Sequence, residues 1–88
     1  MNLDDLKRKF GFDFVGQVDY MGYVPVSKDG KWYHVLKKDG TPCYTARFDM
    51  VGTYRGDRCG VRLGGRDFLI DREGKEIVPG KNRTQFEA

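Results

Sequence analysis

The single histidine, His34, and the two cysteines, Cys43 and Cys59, are the residues whose types best suit a soft divalent metal. Zinc sites are usually built on close ligand pairs, typically about two to four residues apart. Here the gaps are nine (34 to 43) and sixteen (43 to 59). No pair exists, so the sequence nominates no metal and no cofactor. His34 is also the natural general base, but no carboxylate or nucleophile adjoins it in sequence, and such a base needs a bonded partner and a substrate pocket. Asp13 and Asp49 are a second candidate, as paired carboxylates for acid–base work. Each precedes a Val-Gly step, where an aspartate is well placed to bond the backbone at the start of a strand. A structural duty explains both, and the chain reads as a non-enzyme.

The cationic residues suggest binding instead. Arg55, Arg58, Arg62 and Arg66 crowd one stretch; Arg58 and Arg62 share a strand face around Gly60, opposite Cys59, Val61 and Leu63, with Arg66 alongside across Gly64-Gly65. Guanidinium forks suit phosphate and carboxylate, and aromatic side chains on a β surface can stack single-stranded bases. Nucleic-acid binding through an arginine-rich strand face is therefore the alternative function. Asp57, Asp67 and Asp71 oppose it, and the net charge is only +3. Trp32, His34 and Leu36 form a second candidate surface, since tryptophan is enriched at binding hot spots.

Positioning these residues falls to strands. The 88 residues hold twelve glycines and twelve aromatics against two alanines, a composition of strands and tight turns. A chain of this length makes one domain. No apolar run reaches the ~18 residues needed to span a bilayer. Acids at Asp4 and Asp5 stand where a secretory signal carries bases. Two cysteines are too few for a disulfide-stapled secreted domain, so both read as free, packed thiols in a cytoplasmic protein.

The chain also matches itself. Phe12-Asp13-Phe14-Val15-Gly16 recurs as Phe48-Asp49-Met50-Val51-Gly52, an offset of 36 (12 to 48). Val24-Pro25-Val26 aligns with Val61-Arg62-Leu63 at 37 (24 to 61), the Gly30–Leu36 block with Gly65–Asp71 at 35 (30 to 65), and Lys38-Asp39-Gly40 with Arg72-Glu73-Gly74 at 34 (38 to 72). Drift confined to turns is how duplicated hairpins diverge, because loops tolerate length changes. Repeat 1 spans 12–47 and repeat 2 spans 48–79. Each reads as a three-stranded antiparallel meander: 13–19, 22–28 and 31–37, then 49–55, 58–63 and 66–71, with short terminal strands at 42–46 and 75–78. The fold class is mainly all-β, the two meanders forming a small sheet or barrel, with one short helix over 2–10.

Asn2 caps that helix, Asp4 and Asp5 suit its positive end, Lys7, Arg8 and Lys9 its negative end, and Gly11 stops it. Its Leu3, Leu6 and Phe10 stripe is expected to cover Trp32, His34 and Leu36; the other reading leaves those three exposed to a partner. Period-two alternation puts Tyr33 with Val35, Phe68 with Ile70, Val24 with Val26, and Val61 with Leu63 in the core. The tail from Gly80 to Ala88 lacks a pattern and reads as frayed.

Gly30-Lys31-Trp32 followed by Val35 and Asp39-Gly40, and Gly65-Arg66 followed by Ile70-Asp71 and Glu73-Gly74-Lys75, resemble the WG (KWG) repeat over most of residues 12–79. Tyr33 and Phe68 stand where that family carries glycine, and Asp67 where it carries tryptophan. The resemblance implies an array of β-hairpins used for binding, with no shared catalytic residue. The expected function is a non-enzymatic interaction module that binds another protein or pairs as a homodimer, because two repeats leave sheet edges unpaired.

Overall fold

The computed structural model describes residues 2–78. Helix α1 runs Leu3–Phe10, with the Asn2 side chain accepting the Asp5 N–H at 2.8 Å. It ends at Gly11, whose φ of 70° lets its N–H return to the Lys7 carbonyl. These ends fall where the capping residues predict them. Among the described residues, no helix is long and apolar enough to cross a membrane.

Six strands follow in two antiparallel sheets: β1 (Phe14–Val15), β2 (Tyr23–Lys28) and β3 (Lys31–Leu36), then β4 (Met50–Val51), β5 (Cys59–Leu63) and β6 (Arg66–Ile70). Each sheet is a meander, in the order β1-β2-β3 and β4-β5-β6. The first strands are shorter than their sequence suggests. After Gly16 donates to the Pro25 carbonyl, Pro25 has no N–H to return, and β1 ends there. The expected terminal strands reduce to single bridges, Val35 to Pro42 and Ile70 to Glu76.

The hairpins of the two repeats share one register. Val26 faces Tyr33 and Val24 faces Val35 in the first; Val61 faces Phe68 and Cys59 faces Ile70 in the second. Asp13 N–H donates to the Ser27 carbonyl and Asp49 N–H to that of Arg62. Phe12 meets Tyr33 edge-on at 6.2 Å between centroids, as Phe48 meets Phe68 at 6.0 Å. The register corrects one alignment. The β2 hairpin maps onto the β5 hairpin at an offset of 35 (26 to 61), not 37. A two-residue slip keeps every side chain on its face, because strands have period two. It does misplace the ends. Leu63 corresponds to Lys28 and is 42% exposed, while Cys59 takes the core place of Val24 and is 2% exposed.

The paired aspartates have a plain duty. Asp13 Oδ2 accepts the Asp29 N–H at 3.0 Å, and Asp49 Oδ2 accepts the Gly64 N–H at 2.9 Å. Each carboxylate thus ties its own hairpin turn to the preceding strand, and the Gly64 bond, with Lys31 beside it, holds the Asp49 carboxyl below its usual range. Two further glycines seat aromatic rings. Gly40 and Gly74 both have φ of 79°, and a Cβ on Gly74 would lie 2.6 Å from Tyr44 Cγ. Gly40 is packed in the same way by Phe10. Gly74→Ala is expected to lose about 1–2 kcal/mol from the left-handed backbone alone, with Tyr44 displaced besides. A urea melt checks it; an unchanged midpoint would show that Tyr44 does not rest on this turn.

Facing pairs in a ladder share a side of the sheet, which orders the layers. One side of the first sheet carries Val15, Val24, Val26, Tyr33 and Val35. It meets Phe12, which stacks on Phe10 of α1 at 5.7 Å. The other side carries Phe14, Trp32 and His34. The expectation that α1 covers that side is corrected here: repeat 2 covers it at His34, and Trp32 packs on Phe14 of its own sheet. Tyr54 lies 4.7 Å from the His34 ring and 5.3 Å from Tyr23. The reason is connectivity. Gly11 delivers the chain directly to Phe12 on the Tyr33 side, whereas the chain leaving β3 returns along its free edge. There Trp32 and Phe48 exchange backbone bonds of 2.8 and 2.9 Å. The layers run helix, first sheet, second sheet, with no barrel closure among the described residues.

Candidate interaction surface

His34 sits between the sheets, with no solvent exposure. Its Nε2 lies 2.8 Å from the Gly52 carbonyl, which can only accept, so Nε2 carries the proton. Nδ1 then accepts from the Tyr44 hydroxyl at 2.6 Å. Burial depresses the imidazole pKa to about 4, against 6.5 ordinarily, and outweighs the Gly52 bond. The Nε2 bond ties repeat 1 to repeat 2, and the Nδ1 bond to Tyr44 fixes the ring within repeat 1. Of the three residues weighed as metal ligands, Cys59 does approach His34, at 3.9 Å. No three His, Cys, Asp or Glu residues gather into a metal-sized group among the described residues. Both cysteines are free thiols; burial pushes Cys43 up to about 12 and raises Cys59 as well. Neither is a ready thiolate nucleophile.

A second junction between the repeats was not visible in the sequence. Asp19, in the β1–β2 loop, pairs with Arg72, 53 residues later, at 2.6 Å. The Asp19 side chain is 2% exposed and that of Arg72 is 15% exposed. Asp19 also accepts the N–H groups of Met21 and Tyr23. The Arg72 guanidinium donates to the Gly56 carbonyl and lies over the rings of Tyr54 and Tyr23, at 4.4 and 4.6 Å. Only the fold brings these partners together.

The sequence-nominated surface residues are dispersed. Trp32 is half-buried against Phe14 at 5.2 Å, and Leu36 is half-buried at the end of β3. Arg62 pairs with Asp67 at 2.8 Å, Arg66 grips Glu76 through two bonds of 3.0 and 2.7 Å, and Arg58 lies 3.5 Å from Asp57. Arg66 also covers the Phe68 ring at 4.4 Å. Arg55 is exposed and bridges the Arg58 backbone. Three of the four arginines already have carboxylate partners, so these four form no single free cationic patch.

What the structure does expose is the outer side of the second sheet. Met50, Gly60, Arg62, Asp67 and Leu69 occupy the places that Phe14, Pro25, Ser27, Trp32 and His34 hold in the first sheet. Repeat 2 covers that side of the first sheet at His34, which has no solvent exposure, while Phe14 at its margin stays 49% exposed. On the second sheet the same side is an open groove of about 580 Å³, mainly apolar, with the Arg62–Asp67 pair at its rim. Met50 is 54% exposed there. The repeat puts Asp67 and Leu69 on the face that Trp32 and His34 hold, but no local pattern shows that this face lies open. No known protein family, curated protein or solved structure matches this chain.

Proposed function

We propose that the chain is a non-enzymatic interaction module, which binds another protein or a second copy of itself through the outer side of its second sheet. One observation carries this reading: the part of the face that Tyr54 covers at His34 in repeat 1 lies open around Leu69 in repeat 2. Exposed apolar surface bounded by charged residues is the usual mark of a docking site, and at the Asp67 end of the outer edge of β6, where no partner pairs among the described residues, backbone groups remain that a partner strand can use. The likeness to WG repeats, which are binding arrays, supports the same reading. Free thiols suit a reducing, cytoplasmic setting. Nucleic-acid binding stands second, since Arg58, Arg62 and Arg66 are engaged by carboxylates.

The test is a pair of groove variants, Met50→Lys and Leu69→Lys, compared with the parent chain by sedimentation and by affinity capture from host extract. The parent is expected to self-associate, or to retain a protein that both variants lose, with circular dichroism unchanged. Identical behaviour in all three proteins would refute the assignment of this face.

A further inference from the structure

The groove on the outer side of the second sheet has a bare floor and a charged end. Gly52 and Gly60 face each other across β4 and β5, the Gly52 N–H donating to the Gly60 carbonyl at 3.0 Å, so no side chain fills the middle. A Cβ added at Gly60 meets nothing within 4 Å. Gly60 and Leu69 also line a smaller cleft of about 310 Å³, together with Thr53, Arg55 and Arg58.

The two arginines bracket the turn Gly56-Asp57, bonded to each other through the backbone at 2.8 and 3.4 Å. Residues so opposed project to the same side of a sheet, and like charges placed there repel. Alternation from buried Cys59 makes it the outer side, the side of Gly60. Arg62 and Arg66 each hold a carboxylate, at 2.8 and 2.7 Å. Arg58 has only its neighbour Asp57, at 3.5 Å and 83% exposed, a pair that solvent screens. Arg55 makes no ion pair among the described residues. Two guanidinium groups thus share one solvated carboxylate, and the cleft stays positive. In repeat 1 the place of Arg58 belongs to Tyr23 (an offset of 35, 23 to 58), whose ring packs on Tyr54 of repeat 2 at 5.3 Å. Exchange of that ring for a paired cation suits an anion better than a further apolar repeat.

We propose that this face takes an extended acidic segment of another protein, with an apolar side chain over Gly60 beside Met50 and Leu69 and a carboxylate on the Arg55–Arg58 pair. Guanidinium forks bind carboxylate through paired donors. Gly60 and Arg58 are two residues apart, about 7 Å along the strand, which is the spacing of alternate residues in an extended peptide. The recognised unit is therefore an apolar residue with Asp or Glu two positions away. This rests on the reading of the outer side as a docking surface, and it names the class of partner. A nucleic-acid strand fits less well, because two cations make a point and not a track, and the Asp67 carboxylate stands at the groove.

Titration of the 88-residue chain with short blocked peptides, followed by amide chemical shifts, tests it. Peptides carrying Leu-Ser-Glu and Glu-Ser-Leu cover both chain directions, with Gln for Glu and Ala for Leu as controls. The better acidic peptide is expected to shift the Gly60 and Leu69 amides and to bind about tenfold more tightly than either of its controls. Arg55→Gln combined with Arg58→Gln should abolish the preference for Glu over Gln while melting no lower than the parent, since it relieves a like-charge pair. Gly60→Leu, which the open space admits, should weaken every leucine peptide. Absence of shifts at about 5 mM peptide, or equal binding of the Gln control, overturns the proposal. So does a single-stranded oligonucleotide that moves the same amides more strongly, or a Gly60 shift that follows protein concentration alone, which assigns the face to a second copy. If the peptides do nothing while Met50→Lys and Leu69→Lys still abolish association or capture, the acidic class falls and the docking surface stands. If those variants also change nothing, the surface falls with it.

Discussion

Arg72→Met will cost about 3 kcal/mol, because it leaves the Asp19 carboxylate buried without its counter-charge. The pair is short, at 2.6 Å, and Asp19 is 2% exposed, so water cannot replace the guanidinium. Methionine keeps the length and polarizability of the side chain against Tyr23 and Tyr54, which isolates the loss of charge from the loss of bulk. A domain of this size has roughly 5–10 kcal/mol of stability in total. The expected fall in melting temperature is therefore roughly 12–24 °C. Adding Asp19→Asn should restore much of the loss, since asparagine keeps an acceptor for the Met21 and Tyr23 N–H groups and carries no charge. A coupling energy near zero in that double-mutant cycle, or a single-variant cost below about 0.5 kcal/mol, would show the pair to be effectively solvated.

The second large effect is a loss of stability in mild acid, caused by His34. The folded protein holds this imidazole neutral, with a pKa of about 4, against 6.5 for the free group. A depressed histidine pKa means that the unfolded chain takes up the proton first. The stabilisation is complete above about pH 6.5 and disappears as pH falls toward 4; linkage gives a loss of about 2 kcal/mol by pH 5 and about 3 by pH 4. The carboxylates with a resolved shift, Asp39, Asp49, Asp67 and Glu76, are held below their ordinary range and titrate lower still. Urea melts at pH 7 and pH 5 measure the change directly. His34→Gln is expected to be less stable at pH 7, through lost bonds to Tyr44 and Gly52, yet nearly flat over this interval. A flat parent protein would mean that the ring is not buried neutral.

Both effects lie at the junction between the repeats, and the two were unequally legible. His34 was visible as a lone histidine on the Trp32 side of β3. What lay against it was not, because alternation assigns a residue to a face and says nothing of what covers that face. Asp19 and Arg72 gave no signal at all. They belong to different loops of different repeats, in places where the chain bends and no periodicity constrains side-chain direction. The β5 alignment shows the same limit on a smaller scale. Sliding a strand by two residues leaves its hydrophobic pattern in phase, so only the hydrogen-bond register shows that Cys59, and not Leu63, faces the core.

The amino-acid sequence alone was enough for the helix with its two caps, the tight glycine turns, the period-two strands and the duplication. Each of these depends on residues a few positions apart or on direct self-comparison. Tertiary structure decided the stacking order, the placing of α1 on the Tyr33 side, the Asp19–Arg72 clamp and the uncovered outer sheet. Those features come from packing between segments tens of residues apart, where the winning contact is the one that buries most apolar surface while still satisfying each buried polar group, and no local pattern encodes that competition.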